Sequence, residues 1–170
     1  ADFSGNKAAQ VTRKVIVMDS NPFTEWVLNG PLADLPAEQQ ALEADPDADE
    51  IPNLLEYALG GNPRVADRTI VMPMFDISGG RLVLTYVRLK ASYDPEITYK
   101  PMLTTNLGDP AGWDESAVNV IGALQGVSQT NLPDGKAFAS SNYERVEVSA
   151  KTDIDSEPAG KQFLRVVVEK

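Results

Sequence analysis

The chain has 170 residues, 42% of them hydrophobic and 24% charged, and its 25 acidic against 15 basic side chains leave a net charge of −10. That balance suits a soluble fold of one domain, or one domain with an arm, and argues against nucleic acid, whose phosphates are met by clustered lysine and arginine. The chain has no histidine and no cysteine, which excludes disulfides, thiolate or Ser-His-Asp catalysis, zinc–thiolate sites and iron–sulfur clusters, and leaves open carboxylate chemistry, lysine chemistry and hard-cation binding.

Residues 1–22 read as an N-terminal arm. Its first ten, ADFSGNKAAQ, are small and polar, and no charged-then-apolar leader opens the chain, so any secretion signal is expected to have been removed before Ala1. The β-branched run Val15, Ile16, Val17 and Met18 then stands apart from the other sheet-forming sequence and ends at the turn-forming DSNP of Asp19–Pro22. We read it as an assembly strand, able to add to the open edge of a neighbour's sheet, beside the simpler reading that it pairs within its own fold.

Residues 23–68 form the helical part. Asp34 is expected to cap a helix entered through Pro36, with Leu42 on its apolar side. Asn53–Leu59 is expected to form a second, short helix with an apolar stripe of Leu54, Leu55, Ala58 and Leu59, stopped by Gly60 and Gly61.

From residue 69 to 170 the period becomes two. TIVMPMFDI, RLVLTYVRL, EITYKPMLTT, YERVEVSA and KQFLRVVVEK are strand-like, and Val118–Ile121 and Gly135–Ala139 add shorter candidates. Turn sequences separate them without intervening helical patterns. The fold class that follows is mainly β, an antiparallel β-sandwich of immunoglobulin-like or jelly-roll-like kind, with a short helical segment near its N-terminal side, residues 23–170 acting as one domain. Pro101 cannot donate to a ladder, so its strand is expected at an edge or bulged. No repeat and no low-complexity tract interrupts this reading.

The segment with the most chemistry is Asp45–Pro63, DPDADEIPNLLEYALGGNP. Calcium takes about six to eight oxygens, and a loop of about twelve residues can supply them from its first, third, fifth, seventh, ninth and twelfth positions. Counted from Asp45, those positions hold Asp45, Asp47, Asp49, the Ile51 carbonyl, Asn53 and Glu56. The sixth, where glycine normally allows a sharp turn with positive φ, is Glu50. The bland alternative is that Asp49 caps the Asn53 helix and the other acids are solvated.

This segment resembles the ADPDGDGIPNLLEYALGGNP-type segment of a C-terminal β-sandwich module common in large secreted proteins of Verrucomicrobia and related bacteria. The likeness runs from about residue 23 to 170: ISGGRLVLTYVR resembles that module's first strong hairpin, ITYKPMLTTNLGDPAGW its TYTVEVSTDLxxW stretch, and KQFLRVVVEK its closing FLRLRV strand. The resemblance implies a secreted, non-catalytic module whose loop is similar to those of dockerins and thrombospondin type 3 repeats, with structural calcium on Asp45, Asp47, Asp49, Asn53 and Glu56. Ala48 and Glu50 stand where that module has glycines, and Pro101 replaces an ordinary strand residue.

Two non-enzymatic functions follow as expectations. One is a structural subunit for extracellular assembly or surface attachment, partnering itself or other extracellular proteins. The other is a carbohydrate-binding accessory module using Trp113 and Tyr93, aromatic residues in turn-rich stretches. No catalytic residue is assigned: the adjacent Asp114 and Glu115 would point to opposite faces of a strand, and no pattern supports a lysine nucleophile.

Overall fold

Asn21 and Pro22, which end the Val15–Met18 run in the sequence, also open a helix. In the computed structural model, which describes residues 21–129, 138, 140–156 and 161–170, the Asn21 side chain accepts from the Thr24 amide at 2.9 Å and Pro22 fills the first helical position. Asparagine as cap and proline at the first turn together favour a helix start. The helix, α1 (Pro22–Asn29), buries Phe23 and Val27. The expected assembly strand, Val15–Met18, lies outside the described residues.

The helix expected from Asp34 to Leu42 does not form; the stretch holds a single 3-10 turn, Ala37–Gln39. Its carbonyls are spent on another segment. The Asn53 side-chain amide donates to Gln39 O and Ala41 O at 2.8 and 2.7 Å, and the Asn53 and Leu54 main-chain amides donate to Ala44 O and Leu42 O. Asp34 caps nothing and instead forms an exposed ion pair with Arg64.

The second expected helix is present as α2 (Asn53–Leu59), ended by Gly60 at φ 80°, whose amide bonds back to Glu56 O. A helix this short is not stable by itself, and tyrosines hold it. Tyr143 and Tyr99 hydroxyls donate to the carbonyls of Tyr57 and Ala58, each at 2.7 Å, supplying donors to groups that a helix C-terminus leaves unpaired. Tyr57 in turn donates to Asp94 at 2.9 Å and receives the Phe23 ring edge-on at 5.3 Å.

The expected strand TIVMPMFDI divides at its proline. Arg68–Val71 makes one helical turn, α3; Met72, preceding Pro73, is extended, and β1 starts only at Met74 and runs to Ser78. A proline disfavours helix in the residue before it and cannot donate. The remaining strands are β2 (Arg81–Leu89), β3 (Thr98–Thr104), β4 (Val118–Ile121), β5 (Tyr143–Ala150) and β6 (Phe163–Glu169). They form two antiparallel sheets, one in the order β1-β2-β5-β4 and one pairing β3 with β6. The expectation of a strand at Gly135–Ala139 lies outside the described residues except for Phe138, which is not in a strand.

Pro101 pairs with Val166 in an unbroken register, so β3 is not bulged there. Among the described residues it is an edge strand, whose far side pairs only with Asp114, through one bridge at Leu103. One cluster of buried side chains joins helices and both sheets, with Leu32, Tyr57, Leu84, Leu89, Val146 and Val148 almost wholly inaccessible. Buried within it, Asp94 accepts from Lys170 at 3.0 Å, an ion pair with little water around either partner. Burial alone would raise the Asp94 carboxyl, but donors from Lys170, the Glu96 amide and Tyr57 hold it below the ordinary aspartate value.

Candidate metal centre

The loop before α2 wraps around its own carboxylates. Asp45 accepts from the Asp49 amide at 3.2 Å and the Glu50 amide at 2.9 Å, and Asp49 accepts from the Ile51 amide at 2.8 Å. These turns draw Asp45, Asp47 and Asp49 together, with one oxygen from each lying within 4.8 Å of the others. This cluster could hold a metal ion. Asp47 Oδ2 and Asp49 Oδ2 are buried and have no hydrogen-bond partner within the protein.

Ala48 and Glu50 are the two non-glycine residues with positive φ among those described, at 62° and 71°. The loop takes the left-handed backbone at both positions and carries strain on the order of 1 kcal/mol for each residue with a Cβ there. Glu50 has a role that glycine could not fill: its carboxylate pairs with Arg68 at 2.5 Å on the exposed rim, and Arg68 also donates to the Asp49 carbonyl.

α2 supplies the buried wall. Asn53 is inaccessible, and because its nitrogen is committed to Gln39 O and Ala41 O, its oxygen is fixed as the outward acceptor and is left unpartnered. Glu56 is 1% exposed, and neither of its carboxylate oxygens has a donor. It folds over Gly61, where an added Cβ would come within 1.8 Å of Glu56 Oε2 and 2.5 Å of Val71, so only glycine lets the carboxylate lie there. Burial, and then the charges of Asp67, Asp49, Asp47 and Asp45, push the Glu56 carboxyl up to about 8. Asp47 is raised as well, by its burial and by Asp49 and Asp45.

Of the residues predicted from spacing, Asp49 links the loop to α2: one oxygen each from Asp49, Glu56 and Asp67 lies within 4.8 Å of the other two. Counting along the loop does not find Asp67. It comes from the segment beyond α2, immediately before α3, and no spacing rule for a continuous loop reaches it. Ile51 is predicted through its carbonyl; its side chain is buried in the core and its amide closes the Asp49 turn. The donor set is entirely oxygen, which suits a hard cation and not a thiolate- or imidazole-seeking metal.

The two aromatic residues proposed for sugar binding are not brought together. Tyr93 lies in the turn before β3, whereas Trp113 lies at the strand's other end, beside the Leu103–Asp114 bridge. One face of Trp113 is already covered by the Arg165 guanidinium, 4.0 Å from the ring centre. Asp114 caps the short turn that follows it, accepting from the Ser116 amide at 2.7 Å.

No family model, curated protein or solved structure matched the chain.

Proposed function

We propose that the protein is a non-catalytic, exported structural module, a β-sandwich whose helical segment is fastened by one or more calcium ions, and that it serves extracellular assembly or surface attachment. The observation that carries the reading is Glu56: a carboxylate 1% exposed, with two unpartnered oxygens, among four aspartates. An unpaired buried acceptor costs about 1–3 kcal/mol, and more when charged; Glu56, Asn53, Asp47 and Asp49 together leave five such oxygens. One or more divalent cations bound here would give these oxygens the partners that the protein does not.

In this reading Asp45, Asp47, Asp49, Asn53 and Glu56 hold the ion, with the Ile51 carbonyl, and Asp67 joins them from outside the loop. Calcium is preferred to magnesium because it accepts many protein oxygens in flexible geometry, whereas magnesium keeps several waters. The likeness of Asp45–Pro63 to the secreted Verrucomicrobia-type module supports both the metal and the export. The ion would act as a clamp, tying the Asp45–Ile51 loop, α2 and the Asp67 segment to one another.

The test is a thermal melt of the full chain in calcium, in magnesium and in excess chelator, with calorimetric titration of calcium. Calcium should raise the melting temperature, by an amount that grows with concentration as expected for a ligand bound to the folded state alone, and magnesium should do much less. Equal melting temperatures in calcium and chelator, with no binding heat, would overturn the reading.

A further inference from the structure

The two sheets are unequal, and the mismatch leaves a slot. β3, through its bridge to Asp114, lies toward the β4 side of the larger sheet, so β6 faces the β1 side. Among the described residues β6 pairs with no strand but β3, and β1 with none but β2. Between them lies an apolar cavity of about 250 Å³ lined by Leu55, Leu59, Phe75, Leu84, Val166 and Val168, with Arg165 at its wall. Phe75 pairs directly with Leu84 and Ile77 with Leu82, so these alternate residues share one face of the sheet. Leu84 is 1% exposed, whereas Phe75 is 58% and Ile77 62% exposed. The face that is core at β2 is uncovered at β1.

The slot does not suit a small molecule. It falls below the roughly 300–1,000 Å³ usual for such sites and lacks their converging polar groups, its guanidinium being stacked on Trp113. It has the shape of a missing strand: a sheet edge unpaired among the described residues on one side, and exposed apolar side chains beneath.

Resting on the assembly reading above, we infer that this slot is the acceptor for the Val11–Met18 segment of a neighbouring copy, which adds beside β6 and covers Phe75 and Ile77. The segment VTRKVIVM is rich in β-branched residues, the composition a strand favours. Its four consecutive apolar residues, Val15–Met18, fit a slot walled on one side by the sheet and on another by Leu55 and Leu59 of α2. Charge favours the pairing too. The first 20 residues carry three basic and two acidic side chains, whereas the remaining 150 carry 12 and 23, so a faintly cationic arm meets a strongly anionic body.

The donor is a second molecule for a topological reason. The arm enters α1 at Asn21, and Phe23 lies under Lys170, just past the end of β6, at 5.9 Å. A chain reaching α1 after lying beside its own β6 would run parallel to it. Every strand pair among the described residues is antiparallel, and a neighbour's arm is free to keep that sense. Each chain then gives one arm and accepts one, a head-to-tail contact that propagates into a filament where the rotation between copies does not close a ring.

A chain without native cysteine makes the test direct. The full chain carrying Ile16→Cys and Ile77→Cys is oxidised and run on a non-reducing gel, beside a control with Ile16→Cys and Leu124→Cys, Leu124 being 97% exposed and away from the slot. A ladder of disulfide-linked multimers, several-fold stronger than in the control, is the expected result. A cross-linked monomer would mean that the arm fills its own slot, and cross-linking no stronger than the control would mean that it fills none; either overturns the inference. In parallel, Phe75→Glu in the otherwise native chain, checked for folding by near-ultraviolet circular dichroism, should lower the multimer fraction in sedimentation velocity at least tenfold. Multimers that survive Phe75→Glu would overturn the slot while leaving assembly standing. A native chain that stays monomeric at every concentration would overturn both.

Discussion

Replacing Glu56 by glutamine removes one charge and changes almost nothing in shape, and its effect should reverse sign with calcium. In the ion-free protein Glu56 is raised from an ordinary value of 4.5 to about 8, so the folded state holds the proton more tightly than the unfolded state. The stability this confers is fully present below about pH 4.5 and is lost as pH rises through about 8. At about 1.36 kcal/mol for each tenfold change in proton affinity, the ionised carboxylate burdens the ion-free fold by up to about 5 kcal/mol at alkaline pH. Glu56→Gln escapes that burden, so in chelator at about pH 9 it should melt above the native chain, by roughly 10 °C if the full difference is expressed in a domain of this size. With calcium the order should invert, because glutamine offers one neutral oxygen where glutamate offers two charged ones. Near pH 4.5 and below, where the native Glu56 is itself protonated, the two chains should melt alike. Circular dichroism melts of both proteins across this pH range, with calcium or chelator, decide the matter. If Glu56→Gln lowers the melting temperature equally in both conditions at alkaline pH, the carboxylate is an ordinary core group and the argument from its missing partners fails.

The loop strain can be relieved: Ala48→Gly should raise stability by about 1 kcal/mol in denaturant unfolding, since Ala48 sits at φ 62° with no side-chain partner to lose. Glu50→Gly should gain less, because it also gives up the exposed Arg68 pair, itself worth about 0–1 kcal/mol; an equal or larger gain would mean that the pair contributes nothing. Gly61→Ala should displace Glu56, costing about 2 kcal/mol or more and abolishing the calcium shift in melting temperature. Lys170→Met should cost about 3 kcal/mol at neutral pH by leaving Asp94 charged in the core without its counter-ion. Because the Asp94 carboxyl is held low in the native fold, that loss should shrink as pH falls below about 3.8, which acid-titrated melts would read.

Local pattern made much of this molecule legible, and long-range competition hid the rest. The Asp45, Asp47 and Asp49 spacing, the Asn53–Leu59 helix with its Gly60 stop, and the strands RLVLTYVRL, Val118–Ile121 and YERVEVSA all depend on neighbours in sequence and are found where that pattern puts them, whereas TIVMPMFDI keeps only its second half as a strand. In place of the expected Asp34–Leu42 helix the chain makes one 3-10 turn, and the Gln39, Ala41 and Leu42 carbonyls accept from Asn53 and Leu54, a long-range pairing that no propensity over the segment reflects. Asn53 itself reads as a ligand by counting along the loop; that its nitrogen is fixed by Gln39 and Ala41, leaving the oxygen outward, depends on that lost helix. Asp67 reaches the cluster only because the chain turns back over Gly61 and Val71. The one local hint is Gly61, a second glycine after a cap that requires only one. The strand order is equally hidden, since β2 passes over β3 and β4 in sequence to pair with β5.

The acidic cluster and the apolar slot meet on α2. Asn53 and Glu56 turn one side of that helix to the aspartates, while Leu55 and Leu59 turn another to the slot. Seven residues cannot hold a helix in place by their own hydrogen bonds, so its position depends on what grips it: the Tyr99 and Tyr143 hydroxyls at its C-terminal end and, in our reading, the ion at its N-terminal end. Removing the ion above about pH 8, where Glu56 is charged, would leave it and the aspartates to repel one another and push the N-terminal half of α2 away from the loop. Leu55, in that half, would move with it, and the slot would lose a wall without any substitution inside it. Calcium would then stabilise the subunit and also keep its acceptor slot in a shape that a neighbour's strand can enter, so that loss of metal weakens the assembly before it unfolds the protein.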